Sequence, residues 1–155
     1  MKKNSKLKLK IPPPVVTLVF SGLMYLVNTF SSFGQGFFLQ SFLVLALFIV
    51  SCVLLLPAAI EFYKKKTTVN PFKPEKTSVL VVEGVYKYSR NPMYLGMACL
   101  LAAWALWLGN PFNSLVFVAY IVYMNKFQIT VEELALHNLF GDEYVQYKNK
   151  VRRWI

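Results

Sequence analysis

The sequence is poor in the groups that usually carry chemistry. Its 155 residues include one histidine, His137, and two cysteines, Cys52 and Cys99. The cysteines lie far apart inside apolar runs, with no CxxC and no Cys/His cluster. That pattern supports neither a metal site nor a disulfide framework, and both read as buried packing residues. Acidic residues number 7 against 17 Lys and Arg, leaving a net charge of +10. A nucleic-acid-binding domain would gather such charge on one face of a soluble fold. Here the basic residues flank apolar runs, the arrangement that faces anionic lipid. The apolar runs themselves hold almost nothing ionisable, whereas a proton-coupled transporter or ion channel ordinarily needs a charge near mid-membrane. No internal repeat or low-complexity tract stands out.

What the chain has in abundance is apolar surface. It is 56% hydrophobic with a positive mean hydropathy, too apolar for an ordinary soluble domain, and its length argues for a single domain. A membrane span needs about 20 mainly apolar residues. Four segments answer that description: 12–33, 39–60, the shorter 93–108, and 111–130. The first begins on Pro12-Pro13-Pro14, suited to a helix N-terminus. Pro57 predicts a kink or distortion near the end of the second. Gly109-Asn110-Pro111 predicts a tight turn, so the third and fourth form a helical hairpin. All the basic residues lie before span one, between spans two and three, or from Lys126 onward. The two remaining connections carry no charge. By the positive-inside rule both termini and the middle loop are cytoplasmic. The long first apolar run lacks a small-x-small cleavage site and reads as a retained helix rather than a signal peptide.

Polar residues collect in two segments predicted to be cytoplasmic. Residues 67–96 read TTVNPFKPEKTSVLVVEGVYKYSRNPMYLG, long for a connection and hence of functional interest. Its tyrosines are equally suited to anchoring at the headgroups. Residues 126–155 read KFQITVEELALHNLFGDEYVQYKNKVRRWI. Gly141 is a natural helix stop. A further helix from Asp142 would place Tyr144, Tyr147 and Val151 on one face, resting on the membrane surface. Glu132 and Glu133 are adjacent, so on a helix one points into the bundle and the other outward, towards Lys126 or Arg90. Two solvated acids at a helix end is the alternative. His137 has the titration range of a general base, although an interfacial side chain is the plainer reading.

The order GVYKYSRNPMYLG, a short helical hairpin, then EELALHNLFGDEYVQYKNKVRRWI resembles the isoprenylcysteine carboxyl methyltransferase family and the related phospholipid methyltransferases. The resemblance covers residues 61 to 155. It implies an all-α membrane protein of four transmembrane helices, whose cytoplasmic loop and C-terminal amphipathic helix form a pocket for S-adenosylmethionine (SAM), with S-adenosylhomocysteine as product. It further implies that Ser78, Val79, Leu80, Val81, Tyr86, Asn91, Pro92, Met93, Tyr94 and Glu132 line the cofactor. Arg90 is the nearest cation for its carboxylate. Family members acting on prenylated cysteine carry an arginine where this chain has Gln128, which keeps hydrogen bonding without the fixed charge. Many carry histidine where it has Asn91. These departures weigh against a prenylcysteine carboxylate and leave methyl transfer standing.

Methyl transfer from a sulfonium asks the protein for alignment and exclusion of water. Glu132, Glu133 and His137 are the candidate bases, with Tyr86 and Tyr94 weaker ones. That scarcity favours an anionic or soft nucleophile over an amine. The expectation is therefore a membrane SAM-dependent methyltransferase acting on a lipid-like or small hydrophobic acceptor in the bilayer, with Glu132, Gln128 and Arg90 at the reacting centre and neither metal nor nucleic acid involved. A phospholipid N-methyltransferase and a non-enzymatic scaffold or transporter are the alternatives. Short loops suit a prokaryotic plasma membrane.

Overall fold

A computed structural model of the chain describes residues 11–31, 36–64 and 79–155. The described residues form helices and turns, with no strand among them. Helix α1 is Pro13–Phe30 and α2 is Gln40–Lys64. A short 3-10 turn at Gly84–Lys87 precedes α3, Pro92–Leu108. Helix α4, Asn113–Tyr123, passes through a π-helical turn at Met124–Ile129 into α5, Thr130–Phe140. Helix α6 is Asp142–Lys150.

Three helical stretches are long and apolar enough to cross a membrane: Pro13–Phe30, Gln40–Glu61 and Asn113–Phe140; α3 is a shorter apolar helix of 17 residues. Helix α2 continues through Pro57. Such interior prolines are tolerated in lipid where neighbouring groups re-satisfy the freed carbonyl. The fourth apolar stretch differs from its sequence reading, because it does not end near Thr130. The helix runs on to Phe140, so the segment from Lys126 continues the rod as far as that residue.

Side-chain contacts fix the directions of the helices. Thr17 hydroxyl sits 3.6 Å from Met97 sulfur, and Trp104 indole donates to Ser21 carbonyl at 3.1 Å, so α1 and α3 run parallel. Gln40 amide donates to Leu106 carbonyl at 2.6 Å and Ser51 hydroxyl to Gly96 carbonyl at 2.8 Å, so α2 runs against α3. Thr17 and Tyr120 hydroxyls are 3.0 Å apart and Gln128 amide donates to Ile11 carbonyl at 2.8 Å, so α4 runs against α1. The result is an up-and-down bundle with one polar end, where residues 11, 61–64, 80–94 and 125–155 meet. At the other end Gly109 takes a left-handed conformation (φ 66°) as the terminator of α3. Asn110 then accepts from Phe112 N–H at 3.0 Å and donates to Ser31 carbonyl at 3.2 Å. The tight turn expected at Gly109-Asn110-Pro111 is present.

The core between α1, α3 and α4 is built from Val16, Met24, Leu101, Tyr120, Met124 and Ile129. The outward faces are apolar too: Leu18 is 69% and Phe42 67% exposed. In water such a surface would drive aggregation, and in a bilayer it meets lipid tails. With lipid as apolar as the core, close packing and hydrogen bonds must hold the helices together. Gly96 shows this: a Cβ there would stand 2.7 Å from Leu55 Cγ and 3.2 Å from Ser51 carbonyl oxygen. An apolar groove of about 630 Å³ lies between α1, α2 and α3, lined in part by Thr17, Phe48, Leu101 and Trp104. Replacing Gly96 with valine should cost about 1–3 kcal/mol through overpacking, with partial recovery when Leu55→Ala is added. Equilibrium unfolding in mixed micelles checks both.

Candidate functional site

The polar end is assembled from both sequence elements singled out above. The chain from Val79 has no regular secondary structure before the 3-10 turn, and neighbouring side chains enter different clusters. Leu80 packs with Tyr144, Tyr147 and Val151 of α6 and the segment after it. Val81 packs with Ala58 and Tyr86 on the side of α2. Val79 is exposed, and Ser78 lies outside the described residues. Gly84 then turns the chain with φ 60°, and a Cβ on it would meet the Glu61 side chain at 3.2 Å. That is a close approach a larger residue would lose.

Tyr86 is buried in the 3-10 turn, and its carbonyl accepts from Tyr147 hydroxyl at 2.7 Å. Burial pushes its phenol well above the usual range, and the neighbouring Tyr147, Glu132 and Glu61 add to the rise. Tyr86 therefore stays neutral, as a hydrogen-bonding wall beside two carboxylates. Asn91 precedes α3, and its amide donates to Arg153 carbonyl at 2.9 Å. Pro92 opens α3, where its missing N–H costs nothing. Met93 packs against the cluster around Tyr86. One residue on, the buried Tyr94 donates its hydroxyl to Glu132 Oε1.

Glu132 and Glu133 part company as expected of neighbours on a helix. Glu132 meets Tyr94 of α3. Glu133 is held by Arg153 in a bidentate pair, Nη2 to Oε2 at 2.7 Å and Nε to Oε1 at 3.0 Å. Arg90 Nη1 adds a contact of 3.1 Å to Oε1. Arg90 and Glu133 side chains are 9% and 11% exposed, so the pair is shielded from water and screened little by salt. Arg90 also reaches Tyr144 hydroxyl at 3.3 Å. It is thus already paired with Glu133, which Arg153 shares, and that bears on its expected role at a cofactor carboxylate. Gln128 is 1% exposed, its amide nitrogen tied to Ile11 carbonyl. His137 is exposed on α5.

Several residues at this end escaped the sequence reading. Arg153 and Trp154 both converge on Asn125 Oδ1, at 3.4 and 3.1 Å. Glu61 lies against Gly84. No spacing in the sequence links residue 61 to 84 or 125 to 153. The π-helical turn was equally illegible, although Thr130 N–H and hydroxyl both close on Asn125 carbonyl, the hydroxyl at 2.7 Å. Such turns recur at functional sites. The apolar groove between α1, α2 and α3 includes none of these residues.

The geometry defines a membrane protein, helical in its described residues, with a carboxylate and two buried tyrosines gathered at one end of the bundle. The chain belongs to the phospholipid methyltransferase family, whose profile matches residues 39–143, more than half of its length. It is 40% identical over 79 residues to protein-S-isoprenylcysteine O-methyltransferase of Saccharomyces cerevisiae, a match covering 51% of this chain and 33% of the yeast enzyme. It is 27% identical over 138 residues to protein-S-isoprenylcysteine O-methyltransferase B of Arabidopsis thaliana, covering 88% and 70%. An uncharacterized protein of Haemophilus influenzae is 51% identical over 63 residues, covering 41% of this chain and all of that protein. The chain thus spans about a third of the length of the yeast enzyme it matches. No solved structure matches it. Membership places the chain among methyltransferases, in agreement with the resemblance read from GVYKYSRNPMYLG and the Glu132-Glu133 segment.

Replacing Glu133 with glutamine should destabilise the protein by about 3 kcal/mol, because it leaves two arginines together without a counter-charge. Arg153→Ala should cost less, since Arg90 still neutralises Glu133. Unfolding in mixed micelles orders the two variants.

Proposed function

We propose that this protein is a four-span membrane methyltransferase of one domain that uses SAM to methylate a lipid-like acceptor at its polar end. The observation that carries the reading is the meeting of Tyr94 and Glu132, which joins the first turn of α3 to α5. Family membership supports it. So does the fit of the residues to the methyl donor: a carboxylate set among buried tyrosines suits a ligand bearing a sulfonium and an ammonium, and tyrosine faces attract such cations. Bound there, SAM would supply an electrophilic methyl carbon. Glu132 would hold a polar or cationic part of it. Tyr86, Met93 and Tyr94 would wall the pocket, and the backbone of 79–83 and Asn91-Pro92 would complete it. The same reading puts both termini on the cytoplasmic side, where the basic residues lie.

The acceptor can be argued from what the residues offer. The named relatives act on isoprenylcysteine, a carboxylate-bearing lipid, and this is the first candidate class. A phospholipid amine is the second, and a specific observation favours it: Arg90 and Arg153 are both engaged by Glu133, while Gln128 supplies no fixed charge. An amine would find Glu132 beside Tyr94, while a carboxylate would have to share Arg90 with Glu133. Mass spectrometry of products from labelled SAM with membrane lipid, and separately with a prenylcysteine, distinguishes the two.

Calorimetry of the full chain in detergent tests the donor site. Wild type should bind SAM and S-adenosylhomocysteine, with Glu132→Ala and Tyr94→Ala each weakening affinity about tenfold or more, as loss of a charge-assisted hydrogen bond implies. A folded wild type that binds neither compound would overturn the reading in favour of a non-enzymatic protein.

A further inference from the structure

The last five residues lie across the start of α3. Arg90 N–H donates to Arg152 carbonyl at 3.0 Å, and Asn91 amide to Arg153 carbonyl at 2.9 Å. The Ser89 hydroxyl sits 3.5 Å from that same carbonyl. The backbone of the tail is therefore fastened to residues 89–91, directly before Tyr94. The side chains of Arg153 and Trp154 go the other way: Arg153 grips Glu133, and Arg153 and Trp154 both reach Asn125 in the π-helical turn. One short segment thus bridges the two elements whose meeting point is Tyr94 and Glu132.

Helix geometry makes this more than packing. Neighbouring residues on a helix point about 100° apart, so fixing Glu133 fixes where Glu132 points. A π-helical turn lies just upstream, and the extra residue in such a turn shifts the rotational register of the helix beyond it. Asn125 anchors one end of that turn through its carbonyl and receives the tail through its side chain. Both determinants of the direction of Glu132, the register of the turn and the grip on Glu133, run through the tail.

We infer that the segment 151–155 is a built part of the donor site, and that Arg153 is a positioning residue which, through Glu133 and Asn125, aims Glu132 at Tyr94. The inference rests on the SAM reading of this end, but the coupling it asserts is testable without ligand. Loss of the Arg153 guanidinium frees Glu133 from its bidentate partner and leaves Arg90 alone on one oxygen. The α5 helix then gains freedom about its axis, and Glu132 loses its fixed approach to Tyr94. Lysine at position 153 keeps the charge but cannot make the two-pronged contact.

The experiment uses the full chain in nanodiscs, with SAM affinity by calorimetry and hydrogen exchange of the ligand-free protein. Arg153→Ala should weaken SAM binding roughly tenfold, the usual scale of coupling within one charge network, with Arg153→Lys in between. Glu133→Gln should weaken it comparably, and the double variant should be no worse than either single one. A purely structural tail would instead lower the melting temperature and leave the affinity of the folded fraction unchanged. That result, or additive losses in the double variant, overturns the inference. If Arg153→Ala does not fold, Asn125→Ala removes one anchor of the tail, spares the ion pair and should still weaken SAM binding; unchanged affinity there also overturns it. If wild type binds no SAM, the donor reading fails by itself. Exchange then decides the coupling: Arg153→Ala should raise exchange at residues 91–96 and 129–134 together, and unchanged exchange at either would refute it.

Discussion

Glu133 is a carboxylate placed where two arginines from distant parts of the chain converge. Arg90 arrives from the connection before α3, Arg153 from the end of the chain, and Glu133 from a helix that began at the opposite side of the bundle. Charges shielded from water are costly unless they are paired and their hydrogen bonds satisfied. Three elements must therefore come to one place, and the positions of Tyr94, Asn91 and Glu132 depend on that meeting. The rest of the polar end is arranged around this pair: α6 folds back so that Tyr144 and Tyr147 cover Leu80, and Tyr147 ties itself to the turn at Tyr86.

Below that end, the bundle obeys a different rule. Lipid offers no hydrogen bonds, so the hydroxyls of Thr17 and Ser51 and the indole of Trp104 bond to a neighbouring helix. Thr17 to Tyr120, Ser51 to Gly96 and Trp104 to Ser21 are those bonds. Small residues at the crossings let them form. The two regimes meet at the π-helical turn, where an apolar rod becomes a helix carrying two acids and an extra backbone adjustment changes which side they face.

The structure brings together the two elements that carry the family resemblance, and gives the arginines a different partner. By sequence, Arg90 is the natural partner for a ligand carboxylate. In the fold it is the partner of Glu133, and the acidic residue left facing Tyr94 is Glu132. Among the described residues Glu132 meets a tyrosine, not an arginine. This turns attention to an amine-bearing lipid beside the isoprenylcysteine of the named relatives, against the preference for an anionic or soft nucleophile that the scarcity of bases suggests.

Much of the architecture was legible in the chain. Apolar runs of sufficient length specify helices that cross lipid, because no other open backbone arrangement survives there, and the distribution of lysines and arginines separates one end from the other. Gly109-Asn110-Pro111 marked the hairpin, Gly141 the break before α6, and Tyr144, Tyr147 and Val151 a shared face, which meets Leu80 where the pattern alone suggested the membrane surface. The opposite fates of Glu132 and Glu133 are also a consequence of helical geometry. Which acid met which partner was not. Arg153 lies 20 residues from Glu133 and 28 from Asn125, Glu61 lies 23 from Gly84, and no periodicity encodes those distances. The continuation of the fourth rod to Phe140 and its π-helical turn were hidden as well, since polar residues at 125–133 end an apolar pattern without ending a helix. Local pattern set the elements; the pairing of buried charges, a property of three-dimensional proximity, set the site.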